Sequence, residues 1–170
     1  MKSFVTCLLY LLFSFSGLIA DDVIGFWKTI DNKTNRAQSI IGIYEYNGIC
    51  YGRIIATYDN TGKRIKETID TPRERAPGVE GNPFYVGLDF MWNLKKNGSH
   101  YSDGKILDPE QGKVYDAQMW TKNGNLIVRG HIWIFGVNQT WLPATKADFP
   151  AGFQPPDLAK LEPQIPTVKR

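Results

Sequence analysis

The sequence predicts an all-β domain: an eight-stranded up-and-down antiparallel barrel, with a long loop after the third strand and a Pro-rich C-terminal tail. Three observations carry this expectation. Aromatic and β-branched runs alternate with turn signals from residue 24 to residue 142, in a chain of 170 residues with nine Phe, eight Tyr and five Trp. Asn47-Gly48 and Asn123-Gly124 each separate two such runs, and Asn-Gly suits the type I′ hairpin turn because both of its central residues need positive φ. The connections are mostly short, so successive strands pair as a meander, and closing a long meander removes its exposed edges. A two-sheet sandwich is the second architecture compatible with the pattern.

The elements follow in order. Residues 24–30 (IGFWKTI) form the first strand and residues 31–35 (DNKTN) its turn. Residues 38–46 (QSIIGIYEY) and 49–58 (ICYGRIIATY) make a hairpin around Asn47-Gly48, and residues 59–62 (DNTG) turn the chain again. Residues 63–83 carry Pro72, Pro77 and Pro83 and a mixed-sign charge run. They are expected first to be a solvated connector, with a short helix around residues 65–70, and second a lid or binding loop. Residues 84–94, 103–107, 113–121, 125–135 and 138–142 supply the other five strands, divided by turns at 95–98 (KKNG), 108–112 (DPEQG) and Asn123-Gly124. Six of the ten prolines fall in residues 143–170. That tail should be extended, either pinned to the barrel by Phe149 and Phe153 or partly disordered.

The amino terminus has the layout of an export signal. Lys2 is followed by the uncharged apolar run 4–15 (FVTCLLYLLFSF), and Ser16-Gly17-Leu18-Ile19-Ala20 precedes Asp21-Asp22. A membrane anchor is the competing reading, since the uncharged stretch 3–20 is at the lower limit of a bilayer span. The expected organisation is a signal peptide at 1–20, a barrel at 21–142 and a C-terminal extension at 143–170. The product would be periplasmic or secreted, with no transmembrane segment after cleavage.

Composition excludes several classes. An apolar content of 42% and a charged content of 22% exclude a wholly disordered chain. The formal charge of +3, which becomes +2 when Lys2 leaves with the signal, is too small for a dedicated nucleic-acid binder. Two Cys and two His are too few for a zinc ribbon or a disulfide framework, and Cys50 is the one cysteine of the processed chain. A nucleophile elbow, a zinc-protease helix and a phosphate loop are all missing from the sequence. Cys50 with His131 is a formal nucleophile and base pair, but a buried, inert thiol is the commoner state of such a cysteine. His100 with Asp103 and Asp108 lacks metal-ligand spacing, and turn capping accounts for the carboxylates. No catalytic residue, metal or cofactor is assigned.

Gly25-Phe26-Trp27 resembles the Gly-x-Trp signature of the lipocalin-like (calycin) barrels. The resemblance implies that Trp27 plugs one barrel end under a basic residue from a late strand, and Arg129 offers that cation. Gly25, Trp27 and Arg129 are therefore the expected barrel-end group. A broader resemblance runs from about residue 24 to residue 142. Gly25-Phe26-Trp27-Lys28, Ile43-Tyr44-Glu45-Tyr46-Asn47-Gly48, Tyr51-Gly52-Arg53-Ile54, Gly104-Lys105-Ile106-Leu107-Asp108-Pro109 and Gln139-Thr140-Trp141 look like the bacterial exported family Domain of Unknown Function 2147. That resemblance implies a small exported lipocalin-like domain. His131 stands where the family is expected to carry Tyr, and the tail runs past the family's usual end.

One question of orientation stays open at the level of sequence. Tyr51 and Arg53 share a strand face, as do Arg129, His131 and Trp133. If these mixed faces point inward, the five residues line a polar-aromatic ligand cavity. If they point outward, the interior is packed. An open interior makes the chain a binding module for a small hydrophobic or amphipathic ligand of the cell envelope. A filled one makes it a structural or interaction module, with the loop and tail as its contact surface. An enzyme built on Arg129, His131 and nearby carboxylates ranks third. A cavity of ~300 Å³ or more separates the first from the second.

Overall fold

Both Asn-Gly pairs form the turns their chemistry demands, with φ of 51° and 77° at Asn47-Gly48 and 52° and 76° at Asn123-Gly124. The computed structural model describes residues 22–132 and 135–169, and the side chains of residues 132 and 135 are outside that description. The export-signal stretch and Trp133 also lie outside the described residues. The strands are β1 (Gly25–Ile30), β2 (Ala37–Tyr46), β3 (Ile49–Tyr58), β4 (Ile65–Thr68), β5 (Asp89–Asn97), β6 (His100–Asp108), β7 (Lys113–Lys122), β8 (Asn125–Ile132) and β9 (Phe135–Pro143).

Eight of these close an antiparallel barrel in sequence order, β1-β2-β3-β5-β6-β7-β8-β9. The seam is β1 against β9, where Trp27 pairs with Pro143 and Lys28 with Leu142. The ninth strand, β4, stands outside the ring and pairs with the C-terminal part of β3. It replaces the short helix expected around residues 65–70. Glu67 explains the change: its buried carboxylate accepts from Thr57 Oγ1 at 3.0 Å, Arg73 N at 2.6 Å and Glu74 N at 3.0 Å. Those bonds tie the segment to β3 across the sheet, which no local helix could do.

The hairpin turns β2–β3, β5–β6 and β7–β8 share one end of the barrel. That end is filled. Ile43, Cys50, Leu94, Tyr101, Met119 and Leu126 are buried together there with Val23, which folds in ahead of β1. Close packing is visible at Gly104, where an added Cβ would lie 2.4 Å from Leu94 Cδ2.

Residues 69–88 are not the solvated connector expected. Ala76, Val79, Val86 and Leu88 are buried in the main core, so the segment lies on the barrel as a cover. Gly87 N donates to Ile54 O at 2.7 Å and Gly78 N to Pro109 O at 2.9 Å, which anchors it to β3 and to the β6–β7 turn. A Cβ at Gly78 would come within 2.1 Å of Gly112 N, so this contact requires glycine.

The tail is extended apart from two 3-10 turns, Lys146–Asp148 and Leu158–Lys160. Phe149 meets Phe26 edge-on at 5.6 Å and Phe153 at 5.3 Å, over the buried outward side chains of Ile40 and Ile55. Lys28 Nζ binds Asp148 Oδ1 at 2.6 Å. Gly42 admits Leu158, whose Cδ2 would be 2.8 Å from a Cβ there. The tail's end reaches the cover, where Val168 bridges Val79 and Glu80 N donates to Thr167 O at 2.9 Å.

Candidate functional site

Strand register decides which side chains face the interior. Trp27 pairs with Ile41, Ile41 with Ile54, and Ile43 with Gly52; Leu126 pairs with Trp141 and Val128 with Gln139. Directly paired residues share a face, so Trp27, Ile54, Val128 and Trp141 point inward as parts of one core. The residues between them point outward. Arg129 and His131 therefore lie on the outer face of β8, and Tyr51 and Arg53 on the outer face of β3.

This corrects the mixed-face cavity. Tyr51 stacks on Tyr44 with ring centroids 5.5 Å apart. Arg53 is bound to Asp89, with Nη2 2.7 Å from Oδ2 and Nε 2.9 Å from Oδ1. His131 borders a shallow outer hollow with Asp116 and Gln118. Arg129 packs its guanidinium against Gly136, where an added Cβ would be 2.0 Å from Nε. The expected cation over Trp27 is also corrected. Trp27 is buried as the barrel-end reading requires, but its Nε1 donates to Val23 O at 2.8 Å, and Arg129 faces away from it. Gly25 begins β1 at φ 150° beside the indole.

The cavity is at the opposite end, between the β1–β2 and β6–β7 connections. It has a volume of about 470 Å³ and adjoins a second hollow of about 250 Å³ through Ile106, Leu107, Asp108 and Gln139. Its aliphatic wall is Ile41, Ile54 and Ile106. Its aromatic wall is Phe90 stacked on Trp141, with centroids 6.2 Å apart and planes 25° apart. Phe90 reaches the interior because β5 bulges: Gly52 pairs with Met91 and the next residue, Arg53, with Asp89, so Phe90 is skipped.

The polar groups of this site are few. Thr29 Oγ1 and Ser39 Oγ lie 2.8 Å apart as a cross-strand pair. Gln139 Oε1 accepts from Trp141 Nε1 at 3.1 Å, which orients the amide and leaves its Nε2 to donate to a guest. Tyr85 comes from the cover and donates its hydroxyl to Glu110 Oε2. Burial raises the Tyr85 pKa, helped by that hydrogen bond and by the charges of Glu110, Glu74 and Asp108, so the hydroxyl stays protonated. Asp108 Oδ1 caps the β6–β7 turn through Glu110 N at 2.9 Å and Gln111 N at 3.0 Å. Cys50 is far from all of this in the filled end, and burial pushes its thiol up to about 12.

The sequence reading missed Thr29, Ser39, Tyr85, Phe90, Gln139 and Trp141. Part of the signal was present. Once Trp27 is inward, alternation makes Thr29 inward too, and Gln139-x-Trp141 share a face in the same way. The bulge at Phe90 and the reach of Tyr85 have no comparable local signature.

An eight-stranded barrel filled at one end and open at the other, with a Gly-x-Trp first strand, is a lipocalin-like architecture. A solved structure described as "Protein HP1028 from the human pathogen Helicobacter pylori belongs to the lipocalin family" shares this fold with a TM-score of 0.58 and 18% identity, over 74% of this chain and 85% of that one. The family model described as "Uncharacterized protein conserved in bacteria (DUF2147)" matches residues 25–142, and the chain belongs to that family. No curated protein matches the chain. Among the described residues, no helix is long and apolar enough to cross a membrane.

Proposed function

We propose that this protein is an exported binding module that takes one small apolar or amphipathic molecule into the open end of its barrel. The observation that carries the reading is the cavity of about 470 Å³, walled by Phe90 and Trp141 and bearing the Thr29–Ser39 hydroxyl pair. Small-molecule sites are concave, mostly apolar, and fixed by a few placed polar groups. This cavity has that balance. Binding is preferred to catalysis because the one thiol of the processed chain is remote and held protonated, while Asp108 is committed to its turn. Export to the periplasm or the medium rests on Lys2, the apolar run 4–15 and Ala20-Asp21.

Native mass spectrometry of protein purified from its own envelope tests both parts. The expected polypeptide begins at or near Asp21 and carries a co-purified small molecule that is lost on unfolding. In parallel, the apolar fluorophore N-phenyl-1-naphthylamine should bind the parent, and Ser39→Phe, which fills the cavity, should weaken it about tenfold. Equal affinity for parent and Ser39→Phe would place the probe elsewhere and refute the site.

A further inference from the structure

Resting on the binding reading above, we infer that the open end of the barrel selects its guest by head-group charge, taking an amphiphile with a cationic head and disfavouring an anionic one. The cavity itself makes the site, and the argument concerns the charges on its rim. Asp108 and Glu110 are the charged residues that line it, and among its described lining residues there is no Lys, Arg or His. Among the described residues lining the adjoining hollow, Asp108 is the one that is charged. The hydroxyl of Tyr85 donates a hydrogen bond to Glu110 and keeps its proton. The rim therefore offers acceptors to an incoming head group.

The nearby cations do not line the cavity, Lys33 and Arg36 of the β1–β2 connection included, and Arg36 Nη1 donates to Asn60 O at 3.0 Å. Lys113 is the cross-strand partner of Asp108, but it is exposed and does not line the cavity. Lys66 is paired with Glu74, and Arg75 lies over the Phe84 ring at 4.0 Å. Lys105 is paired with Asp116 on the outer face of the barrel. Asp108 directs Oδ1 to its own turn, so Glu110 is the carboxylate best placed to meet a guest. A carboxylate or sulfate head at this rim would lose hydration, meet like charge and find no cation to pair with. An ammonium head meets opposite charge while its tail enters the wall of Ile41, Ile54, Phe90 and Trp141. The net charge of the processed chain is +2, with the opposite sign, so any preference for cations must come from this local field.

The test uses three probes with the same twelve-carbon tail, each below its micellar concentration: dodecyltrimethylammonium, dodecanoate and neutral dodecyldimethylamine oxide. At low salt the cation should bind about tenfold more tightly than dodecanoate, with the neutral probe between them. The gap should shrink in 0.5 M salt, because an exposed rim is screened. Glu110→Gln keeps an acceptor for Tyr85 and should reduce the gap to about threefold or less. Dodecanoate binding as well as the cation, or a gap unaffected by both salt and Glu110→Gln, overturns the inference while the binding reading stands. If none of the three probes binds, the binding reading fails and the inference with it.

Discussion

Asp89→Asn should destabilise the protein by about 2–4 kcal/mol, although it changes one atom and lies outside the barrel interior. The Asp89 side chain is fully buried, and every group that meets it is a donor. Oδ1 accepts from Tyr44 Oη and Arg53 Nε, each at 2.9 Å; Oδ2 accepts from Arg53 Nη2 and Gln164 N, each at 2.7 Å. An asparagine presents one oxygen and one amino group. With its amino group at the Oδ2 position it faces two donors, Arg53 Nη2 and Gln164 N; at the Oδ1 position it faces Arg53 Nε while the Tyr44 hydroxyl can turn to accept, so at least one buried contact to a donor is lost and becomes repulsive. Removing one member of a buried ion pair typically costs ~3–5 kcal/mol. The lower range applies here because Arg53 keeps a second acceptor, Glu162 O at 2.7 Å. Burial lowers the Arg53 pKa and Asp89 more than offsets it in the parent; with that carboxylate gone the guanidinium still stays charged, because arginine is not deprotonated in proteins. At ~2–4 °C per kcal/mol for a domain of this size, the melting temperature should fall by about 5–15 °C. Denaturant melts give the free energy directly, through a shifted midpoint at constant slope. Because Gln164 belongs to the tail, limited proteolysis should also show new cuts in residues 155–169. A loss under ~0.5 kcal/mol with an unchanged tail would show that this network neither holds the tail nor contributes stability.

Three further outcomes follow from the placements above. Cys50 should resist thiol reagents at pH 8 and react fully after unfolding, since burial holds the thiol near 12; rapid labelling of native protein would contradict its position. Trp27→Ala should cost ~3–5 kcal/mol, whereas Arg129→Ala should cost less than ~1 kcal/mol; equal losses in calorimetry would restore the cation-over-indole arrangement. Burial raises the Asp148 carboxyl, but Lys28 and the Thr145 N–H outweigh it and hold it below the ordinary 3.8. Its contribution is thus complete above that value and lost as pH falls through the depressed folded value. The tail should therefore become more protease-sensitive in strong acid, and Lys28→Met should reduce that pH dependence, leaving the part due to Thr145.

The sequence by itself determined the class of fold and most of its strands. Asn47-Gly48 and Asn123-Gly124 demand hairpin turns because positive φ is cheap there, and aliphatic and aromatic runs between turns demand sheet. The Gly-x-Trp resemblance implies a buried Trp27, and Phe149 and Phe153 mark where the tail can be pinned, although the pattern leaves a partly disordered tail equally open. Only the tertiary structure decided which face of each strand looks inward. A one-residue change of register exchanges the faces, and β3 and β8 both read as apolar on either side. Ile55 faces outward yet is buried beneath Phe149 and Phe153 of the tail, and Tyr51 faces outward yet is buried against Tyr44, so hydrophobicity could not mark the interior. The buried partner of Arg53 lies 36 residues away on β5 and the tail closes over both, a separation that strand patterning does not register. The cavity is likewise a tertiary product. Thr29, Ser39, Phe90 and Gln139 come from four strands, and they meet because the ring closes and β5 bulges.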